Sequence, residues 1–254
     1  MAKRIHGLLN PHQKAIAALI DDNARRYHRW EVFRDFCELS AISLSNTVDA
    51  VHREVREARY LKIAGRYERP ELERFAEMLG HLHESLQESF HDALGSLFMA
   101  LELGDSWKGQ FFTPYEVSKM MAMMSLSDAG SLIDRQGFIT VSDPTVGGGA
   151  MMIAAADVLQ EAGYAYQDVL HVTAQDVDVT AVHMSYVQFA LLDIPAVVIH
   201  GNSLTVEVRD WWVTPARATA AWERKMAAYR AAGVATPMEP EVVPVGRVEQ
   251  LSFI

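Results

Sequence analysis

A chain of 254 residues, half of them apolar, can bury a sizeable core, either as one large domain or as a helical domain followed by an α/β domain. No apolar run reaches the roughly 18 to 20 residues that span a bilayer, and MAKRIHGLLNPHQKAIAALIDD lacks the apolar length and small-residue cleavage site of a signal peptide. The one cysteine, Cys37, excludes a disulfide framework within the chain and fits a reducing cytoplasm. The net charge of −10 is unevenly placed: residues 1–100 carry 14 Lys+Arg against 15 Asp+Glu, and residues 101–254 carry 9 against 18. A protein that grips DNA by itself shows a basic stripe, because phosphate neutralisation dominates affinity. This chain shows none, so either partners supply the DNA contacts or DNA is not bound.

Residues 1–100 read as helices. Asn10-Pro11 has the form of an N-cap with proline at the first helical position, and Ala15, Leu19, Tyr27, Trp30, Phe33 and Phe36 supply apolar positions through about Leu39. A second helix is expected from near Ser45 or Asn46 through VDAVHREVREARYLKIA. A third follows Arg69-Pro70, and HDALGSLFMALEL continues or restarts it. Arg53, Arg56 and Arg59 stand at i, i+3 spacing, but Glu54 and Glu57 interrupt them, so an ion-paired helix face is favoured over a basic ridge for phosphates. His81, His83 and His91 are not expected to ligate a metal: residues at i and i+2 do not share a helix face, and no cysteine lies near.

In DSWKGQFFTPYEVSKMMAMM, Thr113 is the expected N-cap, Pro114 the first helical residue and Glu116 the third, which makes a capping box; Phe111 and Phe112 before it suit a hydrophobic staple. Ser125 to Arg135 reads as a linker. Phe138, Ile139 and Val141 then begin a strand that Asp143-Pro144 stops. Gly147, Gly148 and Gly149 follow, and Ala150 to Leu159 is an apolar, helix-prone run. Strand, glycine turn and helix open a nucleotide-binding βα unit, although neither GxxxxGK[ST] nor GxGxxG is present and tight packing alone would explain a bare GGG. HVTA (171–174) is a second strand. Of the carboxylates that end it, Asp176 is favoured for ribose hydroxyls and Asp178 for the cap of the next helix. AVVI (196–199) is a third strand.

Taken together, GQFFTP (109–114), DPTVGGGA (143–150), AQDVD (174–178) and GNSL (201–204) resemble the adenine-N6 DNA methyltransferases, most closely the modification subunits of type I restriction–modification systems. HDALGSLFMALEL before GQFFTP is similar to that family's join between helical and catalytic domains. The resemblance implies a helical domain (1–104), a partial Rossmann-like α/β methyltransferase domain (105–235) that binds S-adenosylmethionine, and a tail (236–254). It further implies that Phe111, Phe112 and Thr113 pack on the cofactor, that Asp143 and the backbone at Gly147 and Gly149 hold its methionine part, that Asp176 takes the ribose, and that Asn202 and Ser203 lie near the adenine. DNA would be the substrate, reached with other restriction–modification subunits, and an oligomer is compatible with this.

The chain departs from the family pattern in three places. Gly148 stands where the family has serine or threonine, and Asn202 where it usually has aspartate. The Asn-Pro-Pro-Tyr/Phe that draws charge from a flipped adenine and stacks on it is missing after Leu204. The nearest substitutes are Asp210, Trp211, Trp212, Thr214 and Pro215, and the tryptophans are expected to cover a core or an interface instead. VEVRDWWV adds one strand and RVEQLSFI one at an edge, fewer than the seven or so of a full methyltransferase sheet, with no room for a target-recognition domain.

Overall fold

The computed structural model describes residues 9–101 and 112–232. Five helices come first: α1 (Pro11–Asn23), α2 (Arg29–Ser45), α3 (Arg53–Ala64), α4 (Arg69–Glu88) and α5 (Ala93–Ala100). The α/β part adds α6 (Tyr115–Ser125), α7 (Ala129–Gln136), β1 (Ile139–Asp143), α8 (Ala150–Glu161), α9 (Tyr166–Val169), β2 (Leu170–Asp176), α10 (Val179–Leu191), β3 (Ala196–Asn202), β4 (Glu207–Val213) and α11 (Ala220–Ala231). The expected boundaries near 104 and 235 fall outside the described residues, as do Phe111 and the RVEQLSFI segment.

Several local expectations need correction. The first helix is broken in two. Asn10 caps α1 as expected, accepting the Gln13 N–H at 2.8 Å, but a new start follows at Arg29, where His28 and Glu31 form a reciprocal capping box. The stretch from Asn46 to His52 is a turn rather than helix, held by Asp49 Oδ1, which accepts the N–H groups of Val51 and His52. Pro114, not Thr113, occupies the N-cap of α6, and no side chain caps it. Ser125 to Arg135, expected as a linker, instead holds most of α7, which ends on Gly137 at φ +83°.

The sheet runs β1-β2-β3-β4. The first three strands are parallel, and β4 folds back antiparallel on β3. β2 and β3 are buried nearly end to end, as strands covered on both faces are; β3 opens on the apolar run Ala196–Ile199, whereas β2 alternates Leu170, Val172 and Ala174 with His171, Thr173 and Gln175. On one side lies α10, a helix buried along almost its whole length, because its outer side packs against α2 and α5 of the helical layer. The core is therefore shared: Phe33, Phe36, Leu94 and Phe98 of the helical layer join Val172, Tyr186 and Phe189 in one cluster.

The Arg53/Arg56/Arg59 row is split by this packing. Arg59 pairs with Glu38 at 2.6 Å, and Arg56 is buried, bonded to Asp49 and the Trp211 carbonyl, each at 2.7 Å. His81 meets His12 (Nδ1 to Nδ1, 3.1 Å), while His91 bonds Ser85 and Ser89. Among the described residues no group of side chains has the makings of a metal site, and no helix is long and apolar enough to cross a membrane.

Candidate functional site

The three parallel strands end side by side at Asp143, Asp176 and Asn202, the edge at which open α/β sheets bind ligands. At the end of β1 lies a cavity of about 270 Å³, lined by Phe112, Thr113, Asp143, Gly147 and Gly148 together with Asp92. A second cavity of about 270 Å³, more apolar, lies against Asp92, Phe112 and Thr113 and is also lined by Leu9 and Met99. Phe112 is held between the two layers, its ring edge-on to Phe98 at 5.1 Å.

The glycines act through their dihedrals. Gly147 has φ +56°, and a Cβ there would stand 2.9 Å from the Phe112 ring. Gly149 has φ +101°, and a Cβ would stand 2.7 Å from the ring of Phe189. Their N–H groups are engaged inside the fold: Gly147 donates to Asp176 Oδ2 at 2.9 Å and Gly149 to the Val146 carbonyl at 2.9 Å. Asp176 accepts a second bond from the Asp178 N–H at 2.9 Å, and Asp178 caps α10 by accepting the Thr180 N–H. Each Asp176 oxygen keeps a lone pair for a further donor. Asp143 accepts the Thr145 N–H at 3.0 Å; burial raises its pKa, and the nearby Asp176 carboxylate adds to the rise.

Asn202 and Ser203 sit at the end of β3, two strands from β1, or about 10 Å along the sheet. Asn202 Oδ1 accepts the Leu204 N–H at 3.0 Å and closes the β3–β4 turn. Asp210, Trp211, Trp212 and Pro215 do not line the cavity at β1, because β4 pairs with the far side of β3. Asp210 lies 3.4 Å from Arg56, Trp211 packs edge-on to His52 at 5.0 Å, and Trp212 is buried beneath the Arg56 guanidinium at 3.8 Å. Thr214 is structural: its hydroxyl accepts the Ala196 N–H at 2.9 Å and donates to the Ile194 carbonyl at 2.8 Å.

Two site residues escape a motif reading. Asp92 precedes α5 and caps it, accepting the Gly95 N–H at 2.8 Å, yet its carboxyl also lines both cavities. Gln188 of α10 donates to Asp92 Oδ1 at 2.9 Å and to the Gly148 carbonyl at 2.7 Å, and accepts the Leu94 N–H at 3.1 Å. The sequence signal for Asp92 is its place before ALGS as a helix cap; nothing in α10 singles out Gln188. Replacing Gln188 with alanine takes the partner from the Leu94 N–H and the Gly148 carbonyl and one of two donors from Asp92 Oδ1, and is expected to cost about 2 kcal/mol. Urea unfolding checks this, and a cost under 0.5 kcal/mol would remove the bridge from the account.

Residues 98–220 match the family model of the N-6 DNA methylases. The α/β part of this chain is thus similar to the N-6 DNA methylases. No curated protein and no solved structure gives a match. The methylase-like segment runs from within α5 to the first residue of α11, so it holds the glycine turn, Asp176 and the whole sheet. Its geometry is a partial Rossmann-like sheet with a cavity at the end of β1.

Proposed function

We infer that the chain binds S-adenosylmethionine at the end of β1, as a relative of the modification subunits of type I restriction–modification systems that lacks their catalytic motif or depends on partners. The observation that carries this is the convergence of Phe112, Thr113, Asp143 and Gly147 on one cavity, with Asp176 bonded to the turn. The donor set fits the cofactor's chemistry. A sulfonium and an ammonium suit a cavity lined by carboxyls, and a carboxylate accepts from ribose hydroxyls. When bound, the cofactor supplies an electrophilic methyl group.

The protein's own residues divide the work. Phe112, with Phe111 outside the described residues, covers the cofactor. Asp143 and the turn at Gly147 and Gly149 face its methionine part, with Gly147 keeping a side chain out of the cavity and Gly149 leaving room for Phe189; Asp176 takes the ribose, and Asn202 and Ser203 lie toward the adenine. Asn202 still offers an amide to the ring where aspartate is usual. Titration calorimetry is expected to show binding of S-adenosylmethionine, weakened about tenfold in Asp176→Asn, which keeps the side chain's shape but loses a charged acceptor. No heat of binding with a folded protein would end this reading.

A second reading is favoured by the burial of Trp212 and the pairing of Asp210 with Arg56. Here the chain is a non-catalytic interaction protein that mimics a modification subunit, in an anti-restriction or regulatory role. Transfer of labelled methyl groups to adenine in DNA separates the two. Transfer that appears only with restriction–modification subunits supports partner dependence, and its absence with every such partner supports the mimic.

A further inference from the structure

We propose that Asp92, from the helical layer, is the acceptor for the cationic amine of the ligand held at the glycine turn, in the space that a side chain at position 148 would fill. A Cβ built on Gly148 would stand 2.8 Å and 2.9 Å from the two carboxyl oxygens of Asp92. Both carboxyl oxygens thus point at this position, with the carboxyl carbon behind them at 3.2 Å, and glycine is the residue that leaves room for them. The departure of position 148 from a hydroxyl-bearing residue is, on this geometry, an exchange: the polar group is supplied by the neighbouring layer. The proposal rests on the cofactor reading above and adds a contact that the four motifs do not contain.

Three observations converge on Asp92. It is only 3% exposed, yet its carboxyl lines the cavity. It is held rigidly, because Gln188 bonds both to it and to the carbonyl of Gly148, and the Gly95 N–H fixes the same oxygen. Among the described residues no lysine or arginine pairs with it, and burial raises its pKa. A buried carboxylate without a cation is costly, and a primary ammonium arriving at the turn offsets that cost. An anionic ligand such as a nucleotide phosphate would meet Asp92 and Asp143 together and be repelled. The predicted ligand class is therefore an adenosyl compound carrying an amino-acid amine.

The test uses the full chain, Asp92→Asn and two probes: S-adenosylmethionine, and adenosine, which lacks the amine. Asparagine keeps an oxygen for Gly95 and Gln188, so the variant should fold, and thermal unfolding checks that it does. The expected result is a loss of about ten- to hundredfold in affinity for S-adenosylmethionine with affinity for adenosine within about twofold of the parent. Equal weakening of both probes, or no weakening of either, overturns the proposal, since a purely structural Asp92 would not discriminate the amine. If Asp92→Asn does not fold, a structure of the parent chain with S-adenosylmethionine decides: a carboxyl oxygen within hydrogen-bond reach of the amine supports it, and one beyond about 4 Å overturns it. If the parent binds no S-adenosylmethionine, the cofactor reading fails and takes this contact with it. Binding that Asp92→Asn leaves intact removes the contact alone.

Discussion

Arg56→Ala is expected to lower the unfolding free energy by about 3 to 5 kcal/mol, the range for breaking a buried ion pair by removing one partner. Arg56 is 5% exposed and works on several groups at once. It donates to Asp49 and Ser45 within the helical layer and to the Trp211 carbonyl of β4, and its guanidinium lies over the Trp212 ring. Alanine takes the cation from the Asp49 carboxylate, which keeps the N–H groups of Val51 and His52, removes the arginine donor from a strand carbonyl and empties the space above the indole. Arg56→Lys should recover part of the loss, because charge remains while the planar fork and its stacking do not. Urea unfolding of the three proteins measures this. A loss below about 1 kcal/mol for alanine would mean that β4 is not welded to the helical layer through this residue.

Stability is expected to fall steeply between pH 6.5 and 4.5, by on the order of 4 kcal/mol, through His171 and His183. Both rings are buried. Burial lowers the pKa of His171 to about 3, with Arg217 and Arg230 adding to the effect. Burial lowers that of His183 to about 4; Glu38 opposes the shift, while His200, Arg56 and Arg59 reinforce it. The Arg217 Nε donates to His171 Nε2 at 2.9 Å, which needs the neutral ring. Each folded pKa therefore lies below the unfolded value of about 6.5, so protons bind the unfolded chain first. The contribution is whole above pH 6.5 and is lost as pH falls toward 4 and then 3. The midpoint of urea unfolding followed from pH 8 to 5 reads it, and His171→Gln with His183→Gln should flatten the curve. A flat profile for the parent protein over that range would contradict neutral burial of the two rings.

The strands were legible because β3 opens on the apolar run Ala196–Ile199, β2 alternates apolar and polar residues, and both are punctuated by glycine, proline or an acidic cap. Asp178 was legible as a cap for the same local reason. The helical layer was less so: the apolar positions through Leu39 carry no mark of the break after Asn23, because the restart at Arg29 depends on a histidine cap that composition does not advertise. The cap of α6 was misplaced by one residue, since Thr113 turns toward the cavity instead of bonding the helix. Of the cofactor-binding residues expected, Phe112, Thr113, Asp143 and Gly147 share one cavity, and Asp176 reaches it through Gly147. Asn202 and Ser203 lie farther along the sheet, and Phe111 lies outside the described residues.

Sequence alone determined that this chain has a βα unit with a glycine turn, an acidic strand end after it, and no adenine-gripping tetrapeptide, because each of these depends on residues close together in the chain. Tertiary structure decided the rest. It set β4 antiparallel on the outer side of β3, buried Trp212 beneath Arg56 and brought the Asp92 carboxyl onto the turn at Gly148. The last two contacts join residues 156 and 56 positions apart. Their energies come from burial and pairing across layers, which no local pattern records.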